Sequence, residues 1–467
     1  MKYDIGVIGM AVMGKNLALN FADHGYRVAI YNRTEKVTDE IITENPDALL
    51  FKMSTISELV DSLEKPRKIM IMVKAGAAVD SVIEELIPYL DEGDIVMDGG
   101  NSYYKDTILR YQLLKEQAIH FLGIGISGGE EGARFGPAIM PAGDKVAYQQ
   151  VAFMLDTIAA KAYGEACSGY IGQDGSGHYV KMVHNGIEYG DMQCIAEAYS
   201  LLSKVGGYDN TQLHGIFSAW NKGELDSYLI EITAHIFSVQ DEETQRPLVD
   251  VILDVARQKG TGKWTAQESL DLNVDSSVLT SAVFSRFISE IQPLRKEASK
   301  LFSKSKSNSM LLSPNAEFVE KVRQALYAAK IIAYAQGFDL LDKAAKNYQW
   351  QLDFAQIAKG WRGGCIIRAA FLNRIAEAYQ NNPQLKHLLF DETFAQTIRE
   401  YQQALREVVV IAIQHNVPVS AFANALMYFD AFTTARLPAN LIQAQRDYFG
   451  AHTFERIDKE GDFHAQW

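Results

Sequence analysis

Cysteine is scarce in this 467-residue chain: there are three, Cys167, Cys194 and Cys365, far apart and odd in number. No C-x-x-C occurs, which argues against both a disulfide framework and a zinc site. Thiol use of this kind fits a reducing, cytoplasmic compartment. Positive charge is short as well. The formal charge of −13 disfavours nucleic acid or a membrane surface as a general partner. An anionic small ligand therefore needs its own local group of cations. Long apolar runs are missing. The longest, such as residues 408–413, fall far below the roughly 20 residues of a membrane helix. No signal-peptide pattern precedes the first strand. What remains is ordinary for a large globular protein, 48% apolar and 22% charged, with a length that suggests about three domain-sized units.

The first unit opens with a buried-strand pattern over residues 3–8. It runs into Gly9-Met10-Ala11-Val12-Met13-Gly14, a helical pattern over 15–24, Gly25, and a second strand over 27–31. The first glycine permits a tight turn, small Ala11 lets a pyrophosphate approach, and Gly14 lets helix and strand pack closely. The helix N-terminus then faces the phosphates. The end of the second strand selects the cofactor. An NAD site usually places an acid there to hold the ribose hydroxyls. Here the residues are Asn32, Arg33 and Thr34, which suit a 2′-phosphate and so predict NADP.

Further strands are expected at 69–73, 95–98 and 121–126. Each runs into a distinctive loop: Lys74-Ala75-Gly76, Gly99-Gly100-Asn101-Ser102, and Ser127-Gly128-Gly129-Glu130-Glu131-Gly132. Open parallel sheets bind ligands at the carboxyl edge of their strands, so these loops converge on a site. After about residue 170 the texture becomes helical, through roughly 427. The expected division is 1–176 for the nucleotide, 177–433 for an all-helical substrate and dimerisation unit, and 434–467 for a tail.

One helix organises the second unit. In residues 175–192, Lys181, His184, Asn185, Glu188 and Met192 share a stripe at about 100° per residue. Val180, Val183 and Ile187 form the adjoining face, the natural one to bury. Lys181 and Glu188 lie about 10 Å apart along the axis, so a small sugar acid laid along the stripe meets an amine and a carboxyl. A polar stripe is by itself more often a solvated face.

The helical unit also contains a repeat. The segment from Val183 to Lys204 aligns without gaps to that from Val322 to Lys343, and Trp220-x-x-Gly223 recurs as Trp361-x-x-Gly364. In the second copy Lys181, His184, Asn185 and Glu188 become Glu320, Arg323, Gln324 and Tyr327. The apolar scaffold recurs and the polar stripe does not, so packing alone does not demand that stripe. Between the copies, residues 258–264 place Lys259 beside two glycines and a hydroxyl. This suits an anion but lacks P-loop spacing. Arg286 lies in an amphipathic run over 279–291. After a helix over 441–448 the tail carries His452, Phe463 and Trp467; with no core of its own it is expected to fray unless docked.

Together these motifs resemble the 6-phosphogluconate dehydrogenase family of the β-hydroxyacid dehydrogenase superfamily, over essentially the whole chain. The resemblance implies an α/β Rossmann-like N-terminal domain, a large all-α domain built from a duplicated unit, and a C-terminal tail. It implies an NADP-dependent oxidoreductase of gluconate utilization and the pentose phosphate pathway, with no metal. Lys181 corresponds to the general base and Glu188 to the general acid of decarboxylation. Gly9, Met10, Ala11, Val12, Met13, Gly14, Asn32, Arg33, Thr34, Val73, Lys74, Ala75 and Asn101 correspond to cofactor contacts. Asn101, Ser127, Gly128, Gly129, His184 and Asn185 correspond to groups at the sugar-acid end of 6-phosphogluconate. Tyr189, Lys259, Arg286, Arg446 and His452 correspond to its phosphate end, the last two from the partner in a homodimer with shared sites. Arg257 departs from the family pattern, which prefers a small residue there. Two other readings remain: a β-hydroxyacid dehydrogenase for an unphosphorylated acid such as 3-hydroxyisobutyrate, and a catalytically silent NADPH-binding protein.

Overall fold

A computed structural model describes residues 2–302 and 315–467; the part of the expected helical unit between them lies outside the described residues. Seven strands form one sheet: β1 (Ile5–Ile8), β2 (Val28–Tyr31), β3 (Leu50–Lys52), β4 (Lys68–Ile71), β5 (Ile95–Asp98), β6 (His120–Ser127) and β7 (Ala138–Gly143). Their order is β3-β2-β1-β4-β5-β6-β7, parallel except for β7 against β6. Helices α1 (Val12–Asp23), α2 (Glu35–Glu44), α3 (Ile56–Ser62), α4 (Ala77–Leu86), α5 (Tyr104–Lys115), α6 (Gly129–Phe135) and α7 (Lys145–Ile158) connect and cover it. The order reverses between β1 and β4, and ligands bind such sheets at that switch point.

The five strands expected from the sequence are present. Two were not legible. β3 is three residues long, too short for a periodic signal. β7 contains Pro141, which removes a ladder donor and argues against a central strand; the structure places β7 at the sheet margin, antiparallel to β6.

The rest of the described chain is almost entirely helical. A first series comprises α8 (Ser176–Lys204), α9 (Asn210–Trp220), α10 (Tyr228–Ser238), α11 (Leu248–Val251), α12 (Thr261–Asp271), α13 (Ser277–Glu290) and α14 (Gln292–Leu301). A second comprises α15 (Ala316–Tyr348), α16 (Phe354–Gly360), α17 (Phe371–Asn381), α18 (Glu392–Gln414) and α19 (Ser420–Thr433). The repeat read from the sequence is physical. α8 and α15 pack together through one continuous core that also buries Trp220 and Trp361. Equivalent polar residues do equivalent work in the two copies. Glu197 of α8 accepts from the backbone N–H groups of Ala421 and Phe422 and so caps α19. Its counterpart Gln336 of α15 accepts from Val278 and caps α13. Each long helix thus ties down a helix of the opposite copy. No described helix is long and apolar enough to cross a membrane.

The tail is α20 (Ala439–Gly450) followed by a small hairpin of β8 (Phe454–Glu455) and β9 (Asp462–Phe463). It is more organised than expected. The buried carboxylate of Asp447 accepts from Thr453 N, His464 Nδ1, Ala465 N and Trp467 Nε1 at 2.9–3.1 Å. One acid thereby replaces the missing apolar core. Leu441, Ile442, Tyr448 and Phe449 are left exposed on it.

Candidate active site

Two cavities meet at the carboxyl edge of the sheet. The first, about 450 Å³, lies over the β1–β2 end and is lined by Gly9, Asn32, Arg33, Thr34, Val73 and Lys74 among others. The turn behind it is held by close contacts. Gly9 has φ +97°, and a Cβ there would meet Met72 O at 2.6 Å. A Cβ on Gly14 would meet Gly9 O at 1.9 Å, so α1 sits flush against the strand end. Asn32 Oδ1 accepts from Met10 N at 3.0 Å, which locks turn and strand together. Ala11 provides no side-chain cap, and the first turn of α1 carries no acid. That turn presents backbone donors and the positive end of the helix dipole to an anion. Val12 stands exposed on it. Arg33 and Thr34 are exposed beyond the end of β2, and no carboxylate stands in their place. The donor set fits a dinucleotide that carries a 2′-phosphate.

The second cavity, about 800 Å³, shares Val73 and Lys74 with the first and runs between sheet and helices. Met13, Ala75, Asn101, Ser127, Gly128 and Gly129 line it from the nucleotide side; Lys181, Asn185, Glu188, Tyr189 and Lys259 line it from the helical side. Lys181, Asn185 and Glu188 of the polar stripe are therefore cavity wall, whereas Met192 is exposed outside it. The position of α8 is set by two glycines. A Cβ on Gly177 would lie 2.4 Å from Met140 O, and one on Gly125 would lie 2.5 Å from Lys181 Cβ. Only bare backbone lets α8 approach β6 and β7 this closely.

The approach brings Lys181 Nζ within 2.9 Å of Ser127 Oγ, to which it donates. Ser127 Oγ lies 3.5 Å from His184 Nε2, and His184 Nδ1 lies 3.2 Å from Asn185 Oδ1. His184 Nδ1 also lies 3.5 Å from Lys181 Nζ, so the imidazole bridges the amine, Ser127 and Asn185. His184 is fully buried behind the cavity wall, edge-on to Trp361. Burial, reinforced by Lys181, pushes its pKa well below the usual imidazole value. It stays neutral and acts through Ser127 and Asn185.

Two pKa shifts give the cavity its chemistry. Burial lowers that of Lys181, opposed by the Glu188 charge. Burial raises that of Glu188, opposed by Lys181 and Arg286. Desolvation disfavours whichever form is charged, so the ammonium gives up its proton more readily and the carboxyl keeps its own. An amine and a carboxyl with opposed displacements in one cleft can take up and give out protons.

Arg286 does not line this cavity but a neighbouring one that shares Tyr189 with it; it lies over the Tyr189 ring, 3.6 Å from its centroid, and donates to Arg257 O at 3.0 Å. The backbone of Arg257, not its side chain, takes part in this contact, and the side chain is exposed. Arg446 and His452 are exposed on the tail and do not line either cavity within this chain. The Thr261 hydroxyl beside Lys259 lines the cavity, as do Trp264 and Ile366, which sequence reasoning did not single out as wall residues. Ile366 follows the Trp361-x-x-Gly364 turn of the second copy, and Gly364 packs its carbonyl against Gly128. The recurrence of that turn was visible; its approach to the Ser127 loop was not. The support of the Asn101 loop was also hidden. Asp98 accepts there from Gly100 N at 3.0 Å and Ser102 Oγ at 2.6 Å.

Two sequence families match this chain: one described as the NAD binding domain of 6-phosphogluconate dehydrogenase, over residues 4–172, and one as 6-phosphogluconate dehydrogenase, C-terminal domain, over 177–467. The chain belongs to the 6-phosphogluconate dehydrogenase family. A Bacillus subtilis relative named 6-phosphogluconate dehydrogenase, NADP(+)-dependent, decarboxylating is 55% identical over 466 residues, covering 100% of this chain and 99% of its own. An Escherichia coli relative named 6-phosphogluconate dehydrogenase, decarboxylating is 55% identical with the same coverage. A solved Plasmodium falciparum 6-phosphogluconate dehydrogenase, studied as apo form and with NADP+ or 6-phosphogluconate, is 44% identical. It superposes with a TM-score of 0.96 over 99% of this chain and 100% of that one.

Proposed function

We propose that the chain oxidises 6-phospho-D-gluconate at C3 and decarboxylates it to D-ribulose 5-phosphate and CO2, with NADP reduced to NADPH. The observation that carries this is a buried amine and a half-buried carboxyl, Lys181 and Glu188. Both face one cavity, with pKa values displaced in opposite directions, and that cavity joins the Asn32–Arg33 pocket. Residues 1–176 would hold the cofactor, through the 9–14 turn, Asn32, Arg33, Thr34 and the 73–75 loop. Bound NADP supplies the hydride acceptor.

Unprotonated Lys181 takes the C3 hydroxyl proton as the C3 hydrogen leaves with its electron pair, giving a 3-keto acid. The C1–C2 bond then breaks, CO2 departs, and the electrons move onto the C3 oxygen. Lys181, now an ammonium, stabilises that oxygen and returns its proton to form the enediol. Glu188 protonates the former C2, which becomes C1 of the product, while Lys181 takes back the proton of the C3 hydroxyl as the C3 carbonyl re-forms. Asn101, Ser127, Gly128, Gly129 and Asn185 hold the sugar acid, with His184 orienting Ser127 and Asn185. Tyr189, Lys259 and Arg286 hold the phosphate, through the planar donors that suit Arg to such oxygens.

Residues 177–433 form the substrate unit in this reading, and 434–467 dock on a second copy. Arg446 and His452 of each tail complete the phosphate end of the other copy's site in a homodimer. A cytoplasmic location fits three cysteines that are free and buried. The test is NADPH absorbance and CO2 release with 6-phosphogluconate, gluconate and 3-hydroxyisobutyrate. Equal yields of NADPH and CO2 from the phosphorylated acid alone are expected. Comparable turnover of an unphosphorylated acid would overturn the substrate assignment.

A further inference from the structure

Asp191 and Lys330 occupy equivalent places in the two copies of the helical repeat. They are 139 residues apart, the offset that relates Val183 to Val322. Yet one is an acid and the other a base. Lys330 Nζ donates to both carboxylate oxygens of Asp191, at 2.6 and 2.7 Å, and both side chains are closed off from solvent. The pair therefore sits on the internal pseudo-twofold axis between α8 and α15. A buried ion pair is a weak source of stability, since apolar side chains of similar volume do as well or better. Packing does not explain it.

Its orientation does. Asp191 is three residues beyond Glu188 on α8, and side chains at that spacing are surface neighbours, with Cβ atoms about 5–6 Å apart. The two ends of the axis differ in what they adjoin. The counterpart of Glu188 on α15 is Tyr327, a buried phenol packed edge-on to Phe371 and Tyr401. On the α8 side the group one turn before the pair is a carboxyl, whereas on the α15 side the groups one turn away are the phenols Tyr327 and Tyr334.

We infer that Asp191 and Lys330 form a positioning pair for the proton donor: Lys330 anchors Asp191 from α15, and the pair is oriented so that its negative end adjoins Glu188. This rests on the reading of Glu188 as the acid. The other groups that bear on Glu188 are Lys181 and His184 from its own helix, Arg286 from α13, Tyr334 from α15, and Lys259 from the loop before α12. Burial and the Asp191 charge favour its protonated form, against Lys181 and Arg286. An ammonium at position 191 would join the opposing side.

The pseudo-twofold relation supplies the test, because exchanging the pair, D191K with K330D, puts each side chain at the equivalent place on an equivalent helix. The kcat–pH profile, thermal midpoint and NADP affinity of the exchanged enzyme are compared with wild type. The expected result is a nearly unchanged midpoint and cofactor affinity, with the high-pH fall in kcat moved to lower pH by about one unit. A fall that stays in place, whatever the midpoint does, overturns the inference. E188Q run in parallel separates the two readings. If it retains the high-pH fall, the acid assignment fails and the inference with it; if it removes the fall while the exchange leaves it unmoved, only the inference fails. Should the exchanged chain not fold, the neutral pair D191N with K330Q is expected to move the fall in the same direction by a smaller amount, and no movement overturns the inference.

Discussion

Lys181 and Glu188 were legible as candidates because they stand seven residues apart on one helical stripe. Their chemistry was not legible, because it depends on burial by β6, β7, α12 and α15, which no local pattern encodes. The direction of the shifts gives a pH profile. In the proposed reading Lys181 acts when unprotonated, so the rate falls as pH drops through its lowered pKa, and Glu188 acts when protonated, so the rate falls as pH rises through its raised pKa. A bell-shaped kcat profile is expected, and a monotonic one would contradict the acid–base pair. Arg33 permits a separate check. It reaches no partner of its own among the described residues and stands at the pocket rim. R33E should cut the preference for NADP over NAD by about ten- to a hundredfold, the worth of one or two charge-assisted bonds; an unchanged ratio of kcat/KM values would remove Arg33 from the 2′-phosphate site.

Helices and strands place these groups by contact distances that glycine alone permits. The 9–14 turn announced itself through spacing. Gly125 and Gly177 did not, because a glycine inside a strand or helix pattern says nothing about its neighbour until the neighbour is known. G125A would drive a methyl to 2.5 Å from Lys181 Cβ, pushing α8 off β6. A shift of about 1 Å at a reacting group costs on the order of a hundredfold. G125A should therefore lose about that factor in kcat with NADP affinity retained, as measured by fluorescence titration. A second packing device joins the two main units. Glu268 of α12, buried, accepts from Tyr104 Oη of α5 at 2.5 Å and from Tyr348 Oη of α15 at 2.7 Å. The Tyr103 ring beside it packs on Trp264 of the cavity wall, centroids 4.9 Å apart. Tyr104 and Tyr348 also pair with each other at 2.8 Å, so E268L leaves one phenol short of an acceptor and should cost about 1–3 kcal/mol in urea unfolding. β7 and the Asn101-loop network escaped sequence reading for a related reason: each is defined by what lies opposite it.

For the molecule as a whole, the sequence showed a nucleotide unit, a duplicated helical unit and a tail, and the architecture agrees. What it did not show is how the repeat closes on itself, with α8 capping α19 and α15 capping α13. A tail folded about Asp447, with its apolar face exposed and two phosphate-end residues outside both cavities, leaves the site of one chain incomplete in the proposed reading. Shared sites predict complementation. K181M and R446A subunits, each poorly active alone, should regain activity when unfolded and refolded together, because each mixed dimer holds one intact site. No regain on mixing would argue that each chain builds its site alone. The most direct test of the account is K181M itself, assayed for 6-phosphogluconate oxidation beside its NADP affinity. Oxidation should be abolished with cofactor binding close to wild type; near-normal turnover would show that the base lies elsewhere.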